Sequence, residues 1–154
     1  MTRRIILRRM TFTGPGVAPI GVPLVDGLNV VWGASNTGKS FLVKALDFMT
    51  GAGPERLPPI AERDSYDRAW LDLELPGSGQ VQVMRALQGG DFALRQGWGD
   101  PDPSRPVAQL LHGEHRGANS WSATLLEAIG LRPDHKIAKT LAGEKSTFSF
   151  RFFA

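Results

Sequence analysis

The apolar and polar positions of the chain divide it into strand-length runs, with one strong helix early and a second late. Ile5 to Phe12 is apolar apart from Arg8, Arg9 and Thr11, and reads as a first strand closed by the turn Gly14-Pro15-Gly16. Val17 to Val25 reads as a second strand, whose prolines at 19 and 23 suit an edge or an interrupted strand. After the hairpin-type turn Asp26-Gly27, the apolar run Leu28-Asn29-Val30-Val31-Trp32 reads as a third. A helix is expected from about Lys39 to Thr50, because Phe41, Leu42, Ala45, Leu46 and Met49 make one broad apolar stripe and Gly51 is placed to end it. Residues 51–65 are rich in Gly and Pro and read as a surface loop. Arg68 to Leu75 alternates Trp70, Leu71, Leu73 and Leu75 against Asp72 and Glu74, as a strand does. Gln80 to Ala86, the turn Gly89-Gly90-Asp91 and Phe92 to Arg95 read as strand, turn and strand. A second loop spans Gly97 to Pro106. Val107 to His112 reads as a short helix, and Ser120 to Ile129 as a stronger one with Ser120 as N-cap and Gly130 as stop. Phe148, Phe150 and Phe152 alternate like one face of a strand, without a following turn.

Between the third run and the first helix lies GASNTGKS, Gly33 to Ser40, a complete G-x-x-x-x-G-K-[ST] phosphate-binding (Walker A) loop in the expected strand–loop–helix setting. Gly33 and Gly38 permit backbone conformations in which successive N–H groups turn inward around a phosphate. The helix that starts near Lys39 adds its positive end to the same anion site. Lys39 reaches the β- and γ-phosphate oxygens in such a loop, and the Ser40 hydroxyl completes the coordination of Mg²⁺.

Composition narrows the remaining chemistry. The chain has 154 residues, enough for one domain with a core, and no cysteine, which excludes disulfides and thiolate metal sites. No apolar stretch approaches bilayer-spanning length, and Arg8 and Arg9 break the N-terminal apolar segment too early for a signal peptide. The expectation is a cytoplasmic protein without a membrane partner. Arg3, Arg4, Arg8 and Arg9 form the one local basic cluster, but no base-stacking aromatics are interleaved with it, so a solvated strand face accounts for it better than a nucleic-acid patch.

Hydrolysis requires acids beyond the phosphate loop. The best internal candidate is Trp70-Leu71-Asp72-Leu73-Glu74, although simple strand alternation explains it more economically; Leu24-Val25-Asp26 lies in a turn and is weaker. His112-x-x-His115 has metal-like spacing without an evident third ligand. No catalytic residue can be assigned. Tyr66 and Phe12 are aromatic candidates for stacking on adenine, though core or loop packing explains both.

In its order of strand, turn, strand, Gly-Leu-Asn-Val-Val, phosphate loop and helix, the chain resembles the N-terminal lobe of SMC-like ATPases, the ABC-related group that includes the RecN and RecF proteins. GLNVVWGASNTGKSFLVKALDFMTGAG, MRALQGGDFALRQG and GEKSTFSFRFFA look like a bacterial AAA/SMC-like branch. The resemblance implies an α/β fold, a P-loop NTPase lobe with a mixed sheet in which N-terminal antiparallel strands flank a strand–loop–helix unit. It implies one domain, residues 1–154, incomplete at its C-terminus. ATP and Mg²⁺ are the implied cofactors, with Gly33, Ser35, Asn36, Thr37, Gly38, Lys39 and Ser40 at the phosphates and Ser40 on the metal. The remaining catalytic motifs would lie on a C-terminal lobe, and a second head and DNA would be partners of the assembled machine. One departure is Thr11-Phe12-Thr13, where many relatives carry a basic residue near the phosphates. The alternative is a self-contained, nucleotide-responsive interaction module that does not hydrolyse.

Overall fold

A computed structural model describes residues 3–35, 38–114, 117–138, 143 and 145–147. The principal strands are β1 (Ile6–Gly14), β2 (Val17–Pro23), β3 (Arg68–Leu75), β4 (Gly79–Ala86), β5 (Phe92–Gln96) and β6 (Gln109–Leu111). They form one six-stranded sheet in the order β2-β1-β3-β4-β5-β6. Every pairing within it is antiparallel. Two helices, α1 (Lys39–Met49) and α2 (Trp121–Ala128), accompany it, and β7 (Lys136–Ala138) pairs with β8 (Lys145–Thr147) as a separate ribbon. The α/β class therefore holds. The expected mixed sheet does not: turns and loops join β1 to β2 and each of β3 to β6 to the next, the segment carrying α1 leads from β2 to β3, and no strand lies parallel in this sheet. Val107–His112 is likewise no helix. Gln109–Leu111 pairs with β5 instead, because its apolar Leu111 completes the row begun by Phe92. The Phe148-Phe150-Phe152 segment lies outside the described residues.

Strand alternation gives the sheet two unlike faces. Ala69, Leu71, Leu73 and Leu75 of β3 join Met10, Phe12, Val81, Val83, Phe92 and Leu94 in the core beneath the helices. Leu42, Ala45, Phe48 and Met49 supply the buried stripe of α1. On the opposite face Arg9, Asp72, Gln82 and Arg95 are polar, and the Gly97–Pro106 segment is strapped over them. Gln82 Nε2 donates to both Asp72 Oδ1 and Gly99 O at 2.9 Å, and Arg105 donates to Gln82 Oε1 at 3.2 Å. Arg95 Nε donates to Arg105 O, and its guanidinium lies 5.2 Å from the Trp70 ring centre. Within the strap, Ser104 donates its backbone N–H and its hydroxyl to Asp102, which holds that carboxyl below the usual carboxylate range. This support exists above that range and is lost as the pH falls through the lowered value.

The C-terminal end of α1 is tied to the sheet and to α2 by buried side chains. A helix leaves its last carbonyls without helical partners; here the N–H groups of Thr50, Gly51 and Ala52 return to Leu46, Asp47 and Phe48 O, and tertiary donors add to them. Arg85 of β4 donates from Nη1 to Phe48 O at 2.9 Å and to Ala52 O at 2.6 Å, and from Nε to Gly90 O at 3.0 Å. Its guanidinium is sandwiched between the rings of Phe48 and Phe92, at 4.3 and 4.5 Å. Burial lowers the Arg85 pKa to about 10, with Glu55 and Asp91 opposing that shift, so the group remains cationic near neutrality. A cation at this end also offsets the helix dipole. Trp121 of α2 completes the set by donating Nε1–H to Met49 O at 2.7 Å. Arg85→Met removes three hydrogen bonds and two cation–ring contacts from a buried site and should cost about 3–5 kcal/mol. Arg85→Lys should recover little of that, since an ammonium lacks the planar fork. Urea unfolding midpoints check both variants.

Candidate functional site

Among the described residues, no side chain comparably closes the other end of α1. Gly38 occupies the N-cap with φ 81° and ψ 4°, a left-handed conformation that costs a side-chain-bearing residue about 1–2 kcal/mol. A glycine cannot cap through its side chain, and no side-chain cap is formed. The first turn carries no acidic residue, so the positive end of the helix is not neutralised locally. Gly33, at φ 152°, provides the second turn that glycine makes easy.

Lys39 reaches back across the loop. Its Nζ donates to Gly33 O at 2.9 Å and also to Ala34 O. The lysine thereby ties the two ends of the loop together and holds its ammonium beside the uncapped helix start. An anion entering here would meet the helix amides and would compete with these carbonyls for the ammonium. Ser35 and Ser40 are exposed, and Ser40 lies in the first turn of α1, directly after Lys39. Asn36 and Thr37 lie outside the described residues. The Ser40 hydroxyl suits a hard cation that takes its remaining oxygens from phosphate and water. Among the described residues, no three carboxylate or imidazole side chains cluster to hold a metal by themselves.

The strand expected to deliver the loop is not formed. Residues 28–32 have no ladder partner, and Leu28, Val30 and Trp32 are 85, 71 and 87% exposed. Asn29 instead closes a local turn, accepting from Val25 N–H and donating to Val25 O, each at 2.8 Å. A short continuous apolar run is the pattern of a strand buried on both faces. Among the described residues nothing covers it.

Each acid considered at the sequence level is occupied by an arginine of the N-terminal segment. Asp72 accepts from Arg9 at 2.9 Å, Glu74 from Arg8 at 2.9 Å and Asp26 from Arg4 at 2.8 Å. Asp72 is buried on the strapped face, opposite the face on which α1 packs. These acids form structural ion pairs, and they account for three of the four arginines in the basic cluster. Spacing alone could not reveal that, because the partners lie 22 to 66 residues apart. His112 is exposed and sits 3.4 Å from Asp91, whereas His115 lies outside the described residues.

Comparison with known proteins assigns no family: no family model matches the chain, and no curated protein matches it. No helix among the described residues is long and apolar enough to cross a membrane.

Since Asp72 serves the strapped face, Asp72→Asn should lower stability by about 1–3 kcal/mol while leaving nucleotide affinity within about twofold of the wild type. Denaturant titration and calorimetric ATP binding, run on the same preparation, read the two effects.

Proposed function

We propose that this chain binds Mg-ATP through the loop Gly33–Ser40, as the nucleotide-binding lobe of an SMC-like ATPase head. The observation that carries this reading is the asymmetry of α1. Arg85 and Trp121 add tertiary donors to its C-terminal end, while its N-terminal end has no side-chain cap among the described residues, begins at a left-handed Gly38 and has Lys39 anchored across the motif. Such an end is built to receive an anion. Lys39 would neutralise the β- and γ-phosphates, Ser40 would give Mg²⁺ one protein oxygen, and the loop N–H groups of Gly33, Ser35, Asn36, Thr37 and Gly38 would surround the phosphates.

Two observations support a lobe that works with a further unit. The exposed apolar run at 28–32 needs a cover, which a C-terminal lobe would provide by pairing with it. The acids Asp72 and Glu74 are engaged with Arg9 and Arg8, so the groups that polarise water would come from that lobe or from a second head. In such a head, ATP joins two sites and their engagement drives motion, with DNA as the polymer acted upon. A non-hydrolysing, nucleotide-responsive interaction module is the second reading, and the same occupied acids favour it.

Calorimetry with Mg-ATP should detect binding to the wild type and a loss of about tenfold or more for Lys39→Ala, in keeping with the removal of a charged phosphate contact. Equal affinities would remove the phosphate-loop assignment. Phosphate release by the purified 154-residue chain should stay at the buffer background. Lys39-dependent turnover would show instead that this lobe carries its own catalytic acids.

A further inference from the structure

A polar cleft of about 900 Å³ opens beyond the C-terminal end of α1, at the far end of the helix from Gly38, Lys39 and Ser40. Its lining includes Glu55, Arg85, Gln88, Asp91 and His112. We infer that this cleft binds a free α-amino acid, with its carboxylate on Arg85 and its ammonium between Glu55 and Asp91. The site is separate from the phosphate loop and does not depend on it.

Arg85 is only 4% exposed, yet it forms part of the cleft wall. Its Nη1 donates to Phe48 O and Ala52 O, and its Nε donates to Gly90 O. A guanidinium carries five N–H groups, so both hydrogens on Nη2 remain. They meet no acceptor among the described residues. Nη2 is also not sealed from solvent: the sealed side-chain polar atom without a partner is Arg95 Nη1. Gly113 lies alongside, and a Cβ there would stand 3.0 Å from Nη2 and 2.4 Å from Gly90 O. Any side chain at that position would cover the spare donors. A carboxylate entering the cleft would form charge-assisted hydrogen bonds with them.

Two acids on the same lining are exposed, and both lie near enough to Arg85 to oppose the lowering of its pKa by burial. Asp91 is held in place: its Oδ1 accepts Gly113 N–H at 3.2 Å, and its Oδ2 lies 3.4 Å from His112 Nδ1. The Glu55 carboxylate folds back over Gly53, where a Cβ would come within 2.1 Å of Oε2. A simple anion would satisfy Nη2 but face two carboxylates. A simple cation would suit the acids and leave the buried guanidinium repelling it. A ligand with both charges on one carbon matches both, and an α-amino acid is such a ligand. The cleft is within the range of small-molecule sites, and Gln88 and His112 suit a polar side chain on the ligand.

Titrating ¹⁵N-labelled protein with L-glutamine and with L-serine, and following its backbone amide shifts, tests the inference. Saturable changes should appear at Gly53, Glu55, Gly90, Asp91 and Gly113 at ligand concentrations up to about 10 mM. N-acetyl-L-glutamine lacks the ammonium and L-glutaminamide lacks the carboxylate, so each should bind about tenfold or more weakly than L-glutamine. Glu55→Gln, an isosteric change at an exposed position where folding is not at stake, should weaken L-glutamine about tenfold. The same variant should leave L-glutaminamide no tighter than in the wild type. No saturable change at the cleft with either amino acid would overturn the site. So would a blocked analogue that binds as tightly as L-glutamine, or L-glutamine binding indifferent to Glu55→Gln in the folded variant.

Discussion

Arg85 is the constraint on which the geometry of the candidate site depends. It is a buried cation pressed between Phe48 and Phe92, and it holds carbonyls at the end of α1, in the following turn and in the β4–β5 turn. Burying a charge in this way is tolerable only because the donors are matched and the rings face the cation. The consequence is mechanical. With one end of an 11-residue helix fixed to the sheet, the direction of its other end is fixed as well, and that end carries Gly38, Lys39 and Ser40.

The two sheet faces divide the work. The helix face is apolar and positions α1. The opposite face carries Asp72, Gln82 and Arg95 under a strap, with Trp98 donating its indole N–H to Leu73 O at 3.1 Å as a further tie. Charge that a sequence reader would offer to a ligand is used here to hold the chain together. Arg8 and Arg9 on β1 and the acids Glu74 and Asp72 on β3 answer one another across adjacent strands, as cross-strand pairs do.

Local patterning made much of the fold legible. The alternation of β3 gave its bounds as observed, Arg68–Leu75, and Ser120 caps α2 by accepting from Ala123 N–H at 3.2 Å. The stripe and stop of α1 were equally readable. What escaped was decided by distant partners. Residues 28–32 have the apolar content of a strand, but a strand also needs a neighbour, and none is present among the described residues. Gln109–Leu111 was drawn into the sheet by the open edge of β5, which outweighs any local helical preference. Nor could spacing show Arg9 beside Asp72, or Tyr66 brought over Phe12, since both depend on register and on the close crossing of Gly14 and Ser65.

In the reading proposed above, the N-terminal end of α1 is an anion site for the phosphates of ATP. Backbone amide chemical shifts of ¹⁵N-labelled protein during a Mg-ATP titration test it most directly. Saturable changes should concentrate at Gly33 to Ser35 and Gly38 to Leu42, with the Arg85 region and β3 almost unmoved. Saturable changes centred elsewhere, for example on the polar cleft around Glu55, Asp91 and His112, or no change at the loop at saturating nucleotide, would contradict it.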